Sequence, residues 1–268
     1  MNVILIIALV IGALYVLAVR GRTGHPGLEN LRGWNYAHRG LHGNGLAENS
    51  LTAFRAAVDH GYGAELDIHL LKDGNLAVIH DSKLIRTTGA EGRIEDLTTE
   101  DLKNYHLEGT EDTIPTFREV LDIFEGKAPL IIELKAENNA AALCEAACKM
   151  MEGYDGLWCM ESFDPRCILW LKQHRPDIIR GQLAENYFHD PKSKLPWILK
   201  FLLSFHLENF LTLPDFIAYD FGTRNTLSNF LCRKLWRVQG VSWTLRSQAE
   251  HDTAKSEGWI PIFEHYEP

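Results

Sequence analysis

The sequence predicts an α/β chain that closes into a (β/α)8 barrel of the TIM type. Three observations carry this expectation. Beyond residue 34, short apolar runs alternate with longer helical segments, eight strands in all. The 268 residues suit one barrel domain, which takes about 250 residues. The composition, 46% hydrophobic and 24% charged, supplies one large core and excludes a disordered chain. A doubly wound sheet shares the alternation but fits it less well.

The first twenty residues are of different material. Val3 to Val19 is an uncharged, almost wholly apolar run. As a helix it spans about 26 Å, enough for a bilayer core with little tilt. A cleaved signal peptide needs a positive n-region and a small-residue cleavage site. No Lys or Arg precedes the run and no A-x-A ends it. A buried soluble helix is the bland alternative, but helices apolar on every face rarely begin a soluble domain. Residues 1–20 are therefore expected as a transmembrane anchor. Arg20, Arg22 and Arg32 follow it, so the positive-inside rule places the remainder in the cytoplasm, as a single-pass cell-membrane protein. Five cysteines, an odd number without C-x-x-C spacing, agree with a reducing compartment.

Residues 21–34 contain Gly21, Gly24, Pro26, Gly27 and Gly33 and read as a linker, followed by the barrel domain at 35–268. Its expected strands are Asn35–His38, Ala64–Leu70, Leu130–Leu134, Leu157–Met160, Ile178–Leu183, Phe216–Tyr219, Val241–Thr244 and Trp259–Phe263. Expected helices include Ser50–His60, Thr116–Phe124, Ala140–Met151, Pro165–His174, Thr226–Arg237 and Ser247–Ser256. Asn75–Asn104 fits no simple β-α unit and reads as an insertion carried on the barrel.

The net charge of −9 argues against nonspecific nucleic-acid binding. It leaves room for an anionic substrate at a locally positive site. In a barrel the chemistry sits at the C-terminal ends of strands. The first strand ends in His38-Arg39-Gly40. The second carries Glu65 and Asp67 on one face, and the third carries Glu133 and Lys135. Three inward carboxylates need pairing or a metal. Oxygen ligands suit a hard cation, Mg2+ or Ca2+; the bland reading is a set of ion pairs with Lys135 and Arg39. His80-Asp81 ends a further apolar run, and a histidine there suits acid/base work. Arg39 has the planar fork that clamps phosphate. The set suits phosphoester hydrolysis.

His38-Arg39-Gly40, Glu48-Asn49-Ser50, Glu65-Leu66-Asp67 through Lys72-Asp73-Gly74, and His80-Asp81 resemble the glycerophosphodiester phosphodiesterase family. Leu84–Gly89, Ile114-Pro115-Thr116 and Ile132–Lys135 continue the likeness, with weaker echoes at Ser162–Asp164, Gly181–Leu183 and Ser242–Thr244. The likeness covers about residues 35–263. It implies a (β/α)8 barrel with a small insertion after the second strand. It implies a divalent metal on Glu65, Asp67 and Glu133, His38 and His80 as acid/base pair, and Arg39 and Lys135 on the phosphate. Glu48 would support the site. The implied reaction releases glycerol 3-phosphate and an alcohol. A neighbouring glycerol hydroxyl attacks first, giving a cyclic phosphate, or water attacks directly; both routes stay open. Three departures surround the pocket and bear on the leaving alcohol: Leu71 for the usual Thr, Leu245-Arg246 for Val-Asn, and Glu264-His265 where Thr-Asp is common. His69 shares the inward face of Asp67, as outer support or a fourth ligand. Trp243 lines the pocket or packs in the core.

Trp197–Leu211 is strongly apolar, with Lys200, Ser204 and Glu208 recurring every four residues. It reads as an outer barrel helix or as a helix dipping into the membrane interface. Three function classes follow: a membrane-anchored phosphodiesterase on soluble glycerophosphodiesters, a lysophospholipase D or phosphatidylinositol-type phosphodiesterase on lipids, and a non-catalytic membrane-anchored barrel. Retention of both histidines and all three carboxylates weighs against the last. The sequence leaves the oligomeric state undetermined.

Overall fold

Alternation of β-branched, aliphatic runs with capped amphipathic helices produces a closed parallel barrel. The computed structural model describes residues 3–191 and 193–268. After α1 (Val3–Ala18) and the short α2 (Leu28–Leu31) come β1 (Tyr36–His38), α3 (Leu51–Asp59), β2 (Gly63–Leu70), β3 (Leu76–Val78), α4 (Ile85–Thr88), α5 (Phe117–Phe124) and β4 (Leu130–Leu134). There follow α6 (Ala140–Met150), β5 (Trp158–Ser162), α7 (Pro165–His174), β6 (Arg180–Ala184), α8 (Trp197–Ser204), α9 (Asn209–Thr212), β7 (Phe216–Asp220), α10 (Leu227–Phe230), β8 (Gln239–Leu245), α11 (Gln248–Ser256) and β9 (Trp259–Phe263). The order β1-β2-β4-β5-β6-β7-β8-β9 returns to β1 with every pairing parallel. β3 stands outside the ring, antiparallel to the end of β2.

Local chemistry fixes the helix starts. Side chains of Ser50, Thr116, Asn139, Asp164, Thr226 and Ser247 each accept a bond from a backbone N–H in the first turn of the following helix. Thr116 and Glu119 form a reciprocal capping box. Outward faces of β2, β4 and β5 bury Leu66, Ile68, Ile132 and Met160 against Phe54, Phe117, Phe124 and Ile168 of the surrounding helices. The barrel interior holds Tyr36, Ile131, Cys159, Phe216, Val241 and Ile262. Gly181 is required there, because a Cβ would lie 2.1 Å from the Phe216 ring. The insertion has a satellite core of Leu71, Ile79, Leu84, Ile94, Leu102 and Leu107.

Two expectations change in the structure, and a third is not shown by it. Residues 20–34 do not hang free: they cross the N-terminal face of the barrel, with Leu28 and Leu31 buried in its interior cluster. Trp197–Leu211 is not one helix. It breaks after Ser204, His206 takes φ 55°, and α9 follows. α1 covers 16 residues, about 24 Å at helical rise. Among the described residues no helix is long and apolar enough to cross a membrane, so the structure does not show the expected transmembrane span over 1–20.

Candidate active site

The barrel's C-terminal rim opens into a cavity of about 510 Å³ lined by His38, Arg39, Glu65, His80, Glu133 and Trp243, with Glu161, Phe163, Arg246 and Glu264 completing the wall. Parallel register sets the carboxylates level: Asp67 stands opposite Glu133, and Glu133 opposite Glu161. Glu65, Asp67 and Glu133 are buried and offer one oxygen each within 4.8 Å of the others. Burial and the neighbouring charges of Asp67 and Glu133 push the Glu65 carboxyl well up; burial pushes Glu133 up to about 7 despite Lys135. Burial acts on Asp67 in the same direction, but Lys135, His80 and Arg39 outweigh it and hold this carboxyl well down. Three buried carboxylate oxygens this close together could hold a hard divalent cation.

Arg39 has φ 54° at the end of β1, which turns its backbone N–H toward Glu65 Oε2 at 3.1 Å. Its guanidinium donates to both Glu48 oxygens at 3.0 Å and lies 3.5 Å from Asp67. Glu48 also accepts two bonds from Arg86, and Arg86 reaches on to Asp81. Lys135 Nζ lies 2.6 Å from Glu133 and 3.0 Å from Asp67. The cations therefore interleave with the carboxylates, as the ion-pair reading of the sequence expects. Asn49 donates to Asp67 at 2.8 Å.

The two histidines are each held by a carboxylate. His38 Nδ1 is 2.7 Å from Glu264 Oε2, and its Nε2 lies 3.8 Å from Glu65. Burial lowers the His38 pKa to about 4, so the ring is neutral near pH 7. Glu264, ionised and held well below the usual carboxylate range by its bond to His38 against the cost of burial, selects the tautomer with the proton on Nδ1. His80 Nδ1 is 2.6 Å from Asp81, and burial lowers its pKa as well. His69 turns away from the carboxylates: it bonds Glu95 at 2.8 Å and the His80 carbonyl at 3.2 Å. Trp243 stacks edge-on against Phe163, and Lys135 stands 5.9 Å over that ring.

All nine sequence-predicted site residues thus converge on one rim. Sequence reasoning missed Glu264, Glu161, Arg86 and Asp81 as site groups. Asp81 and Arg86 lay inside recognised motifs. Glu161 lies one residue beyond the expected end of its strand. Burial and the Glu133 charge push its carboxyl well up, and its Oε2 has no hydrogen-bond partner among the described residues.

A model of the glycerophosphoryl diester phosphodiesterase family matches residues 38–263. A glycerophosphodiester phosphodiesterase of Bacillus altitudinis is 41% identical over 111 residues, covering 39% of this chain and 45% of that one. A lysophospholipase D of Rattus norvegicus is 36% identical over 116 residues, 38% of this chain and 36% of that one. The chain thus spans under half the length of these two relatives. Among solved structures, a phosphodiesterase of Oleispira antarctica in complex with the product sn-glycerol-3-phosphate superposes with a TM-score of 0.72 at 21% identity, over 91% of this chain and 95% of that one. That likeness speaks to the barrel fold.

Proposed function

The chain belongs to the glycerophosphoryl diester phosphodiesterase family, and from that premise we propose that it hydrolyses glycerophosphodiesters to glycerol 3-phosphate and an alcohol. The observation that carries the proposal is the rim itself: His38, His80, Arg39, Glu65 and Glu133 line one cavity, each histidine is held by a carboxylate, and Asp67 and Lys135 pair directly with the groups that line it. Glu65, Asp67 and Glu133 would hold the divalent cation, Mg2+ or Ca2+, which when bound supplies Lewis-acid stabilisation of charge on the phosphoryl oxygens. Arg39 and Lys135 orient the phosphate. His38 accepts the proton of the attacking oxygen at Nε2 while Glu264 holds its Nδ1–H. His80, in its imidazolium form with Nδ1–H held by Asp81, delivers its Nε2 proton to the leaving oxygen and is left neutral. Glu48 steadies Arg39, and Trp243 walls the pocket.

Product analysis on glycerophosphocholine, with and without chelator, tests this. Glycerol 3-phosphate and choline should appear, and chelator should stop them; full turnover in chelator would sink the metal assignment. A second reading, hydrolysis of lysophospholipid, is favoured by the likeness to the rat lysophospholipase D and by the exposed apolar surface described below. Lysophosphatidylcholine in the same assay separates the two. We further propose attachment to the cell membrane through α1 with the barrel on the cytoplasmic side, as Arg20 and Arg22 favour. A reporter fused after Pro268 that is active only outside the cytoplasm would overturn the sidedness.

A further inference from the structure

Exposed large apolar side chains are not scattered over this molecule. Among the described residues they fall on α1 or between 188 and 235, with Ile85 the one exception. Trp197 is 72% exposed, Leu227 62%, Phe230 61% and Leu235 55%; Phe201, Phe210 and Leu211 join them. Exposed apolar side chains gathered on one part of a surface mark an interaction site.

The polarity of the segment is inverted as well. Ser204, His206, Glu208 and Asn209 are buried while the apolar residues beside them face outward. Ser204 accepts from the Tyr187 N–H, and its carbonyl accepts from the Tyr219 hydroxyl; His206 bonds Asn229. A water-facing helix of a barrel would turn these groups the other way.

α1 is rooted on this same side. Trp236 Nε1 donates to the Val16 carbonyl at 2.8 Å, and Cys232 Sγ to the Val19 carbonyl at 2.8 Å. Tyr15 packs in the cluster that contains Leu231 and Trp236. Charge follows apolarity: residues 188–237 carry seven Lys or Arg against four Asp or Glu, in a chain of net charge −9. Two of those acids, Glu208 and Asp215, are buried, whereas Lys194, Lys234 and Arg237 are exposed.

We propose that the barrel face built from α8, α9, α10 and the helical turn Leu231–Leu235 seats on an anionic lipid surface beside α1. Apolar side chains enter the headgroup boundary and the flanking cations meet lipid phosphates. This deepens the membrane attachment proposed above and rests on it. It also gives the active site an orientation. The segment that leads from the C-terminal end of β6 to α8 carries Tyr187, which packs edge-on against Phe163, and Phe163 packs edge-on against Trp243 in the cavity wall. A seated α8 holds the cavity's rim at the level where glycerophosphodiester headgroups lie.

The five native cysteines are buried, so a single exposed cysteine can carry a spin label in the full chain. Trp197→Cys, Phe230→Cys and, as control, Ile85→Cys are labelled and bound to vesicles of phosphatidylglycerol and phosphatidylcholine. Labels at 197 and 230 should become several-fold more accessible to oxygen than to a nickel chelate, while that at 85 stays open to nickel. Labels at all three positions equally open to nickel, a chain that stays in the supernatant, or lipid-independent dipolar broadening from a second copy would each overturn the proposal. No turnover is needed for this readout. Inserted labels with no hydrolysis would remove the enzymatic reading and leave the docking face intact.

Discussion

Glu264 shows how one side chain sets the chemistry of another. His38 is neutral because it is buried, and a neutral imidazole serves as base only through the nitrogen that lacks a proton. The 2.7 Å bond from Nδ1 to Glu264 leaves Nε2 with the free lone pair. Glu264→Gln should lower kcat by about 10- to 10³-fold with KM little changed, and Glu264→Asp should recover part of the loss; a KM effect alone would reduce Glu264 to packing. His38→Ala should cost roughly 10²- to 10⁴-fold in kcat while metal still binds, measured by turnover and by calorimetric titration of the metal. The residues legible in the sequence were those in contiguous motifs, where strand alternation puts charges on one face. Glu264 was singled out as a departure and His38 as a catalytic candidate, but not their pairing, because 226 residues separate them and only closure of β9 onto β1 joins them.

At the scale of elements, strands and helices were placed about equally well: α7 coincides with its expected run, and α3, α5, α6 and α11 lie within a residue of theirs at each end. β4 and β9 coincide with the expected runs, since buried parallel strands are continuous apolar stretches bounded by polar turns. The segment after β6 misled the helical period because its buried stripe is polar. Ser204, which ends α8, bonds Tyr187, and His206 turns left-handed, so Glu208 is carried inside instead of along an outer stripe. Burial raises the Glu208 pKa to about 8, against an ordinary 4.5. The unfolded chain releases that proton near 4.5, so the folded form loses stability as pH rises from there through 8. Glu208→Gln should therefore be more stable than the parent at pH 8, on the order of a few kcal/mol, and no more stable at pH 4.5. Thermal unfolding across that range checks the slope; a pH-independent difference would mean that Glu208 acts through packing and not through its charge.

For the molecule as a whole, the segment between α1 and β1 decides whether the barrel swings on a tether or is fixed to its helix. Composition suggested a tether, because Gly21, Gly24, Pro26, Gly27 and Gly33 are turn formers. The packing contradicts that picture through two leucines three apart, Leu28 and Leu31, which close the bottom of the barrel. Arg22 fastens the start of the segment. Its guanidinium makes two bonds to Asp215, at 2.6 and 2.5 Å, and two more to the carbonyls of Pro176 and Ile178. Asp215 is fully buried and is otherwise held by the Arg180 N–H. Removing the cation strands a buried carboxylate, which costs far more than a surface pair is worth. Arg22→Ala should lower stability by about 3 kcal/mol, roughly 6–12 °C in Tm for a chain of this size. Arg22→Lys should restore little, since an ammonium cannot reproduce the two-pronged contact with Asp215 and still reach both carbonyls. Arg22→Ala with Asp215→Asn should recover part of the loss by removing the stranded charge. All of these contacts lie at the N-terminal ends of the strands, across the barrel from His38 and His80. Turnover measured well below each variant's Tm should therefore hold at the parent's value. A Tm within a degree of the parent for Arg22→Ala would return residues 21–34 to a solvated tether, and with it free the barrel from the orientation that α1 imposes.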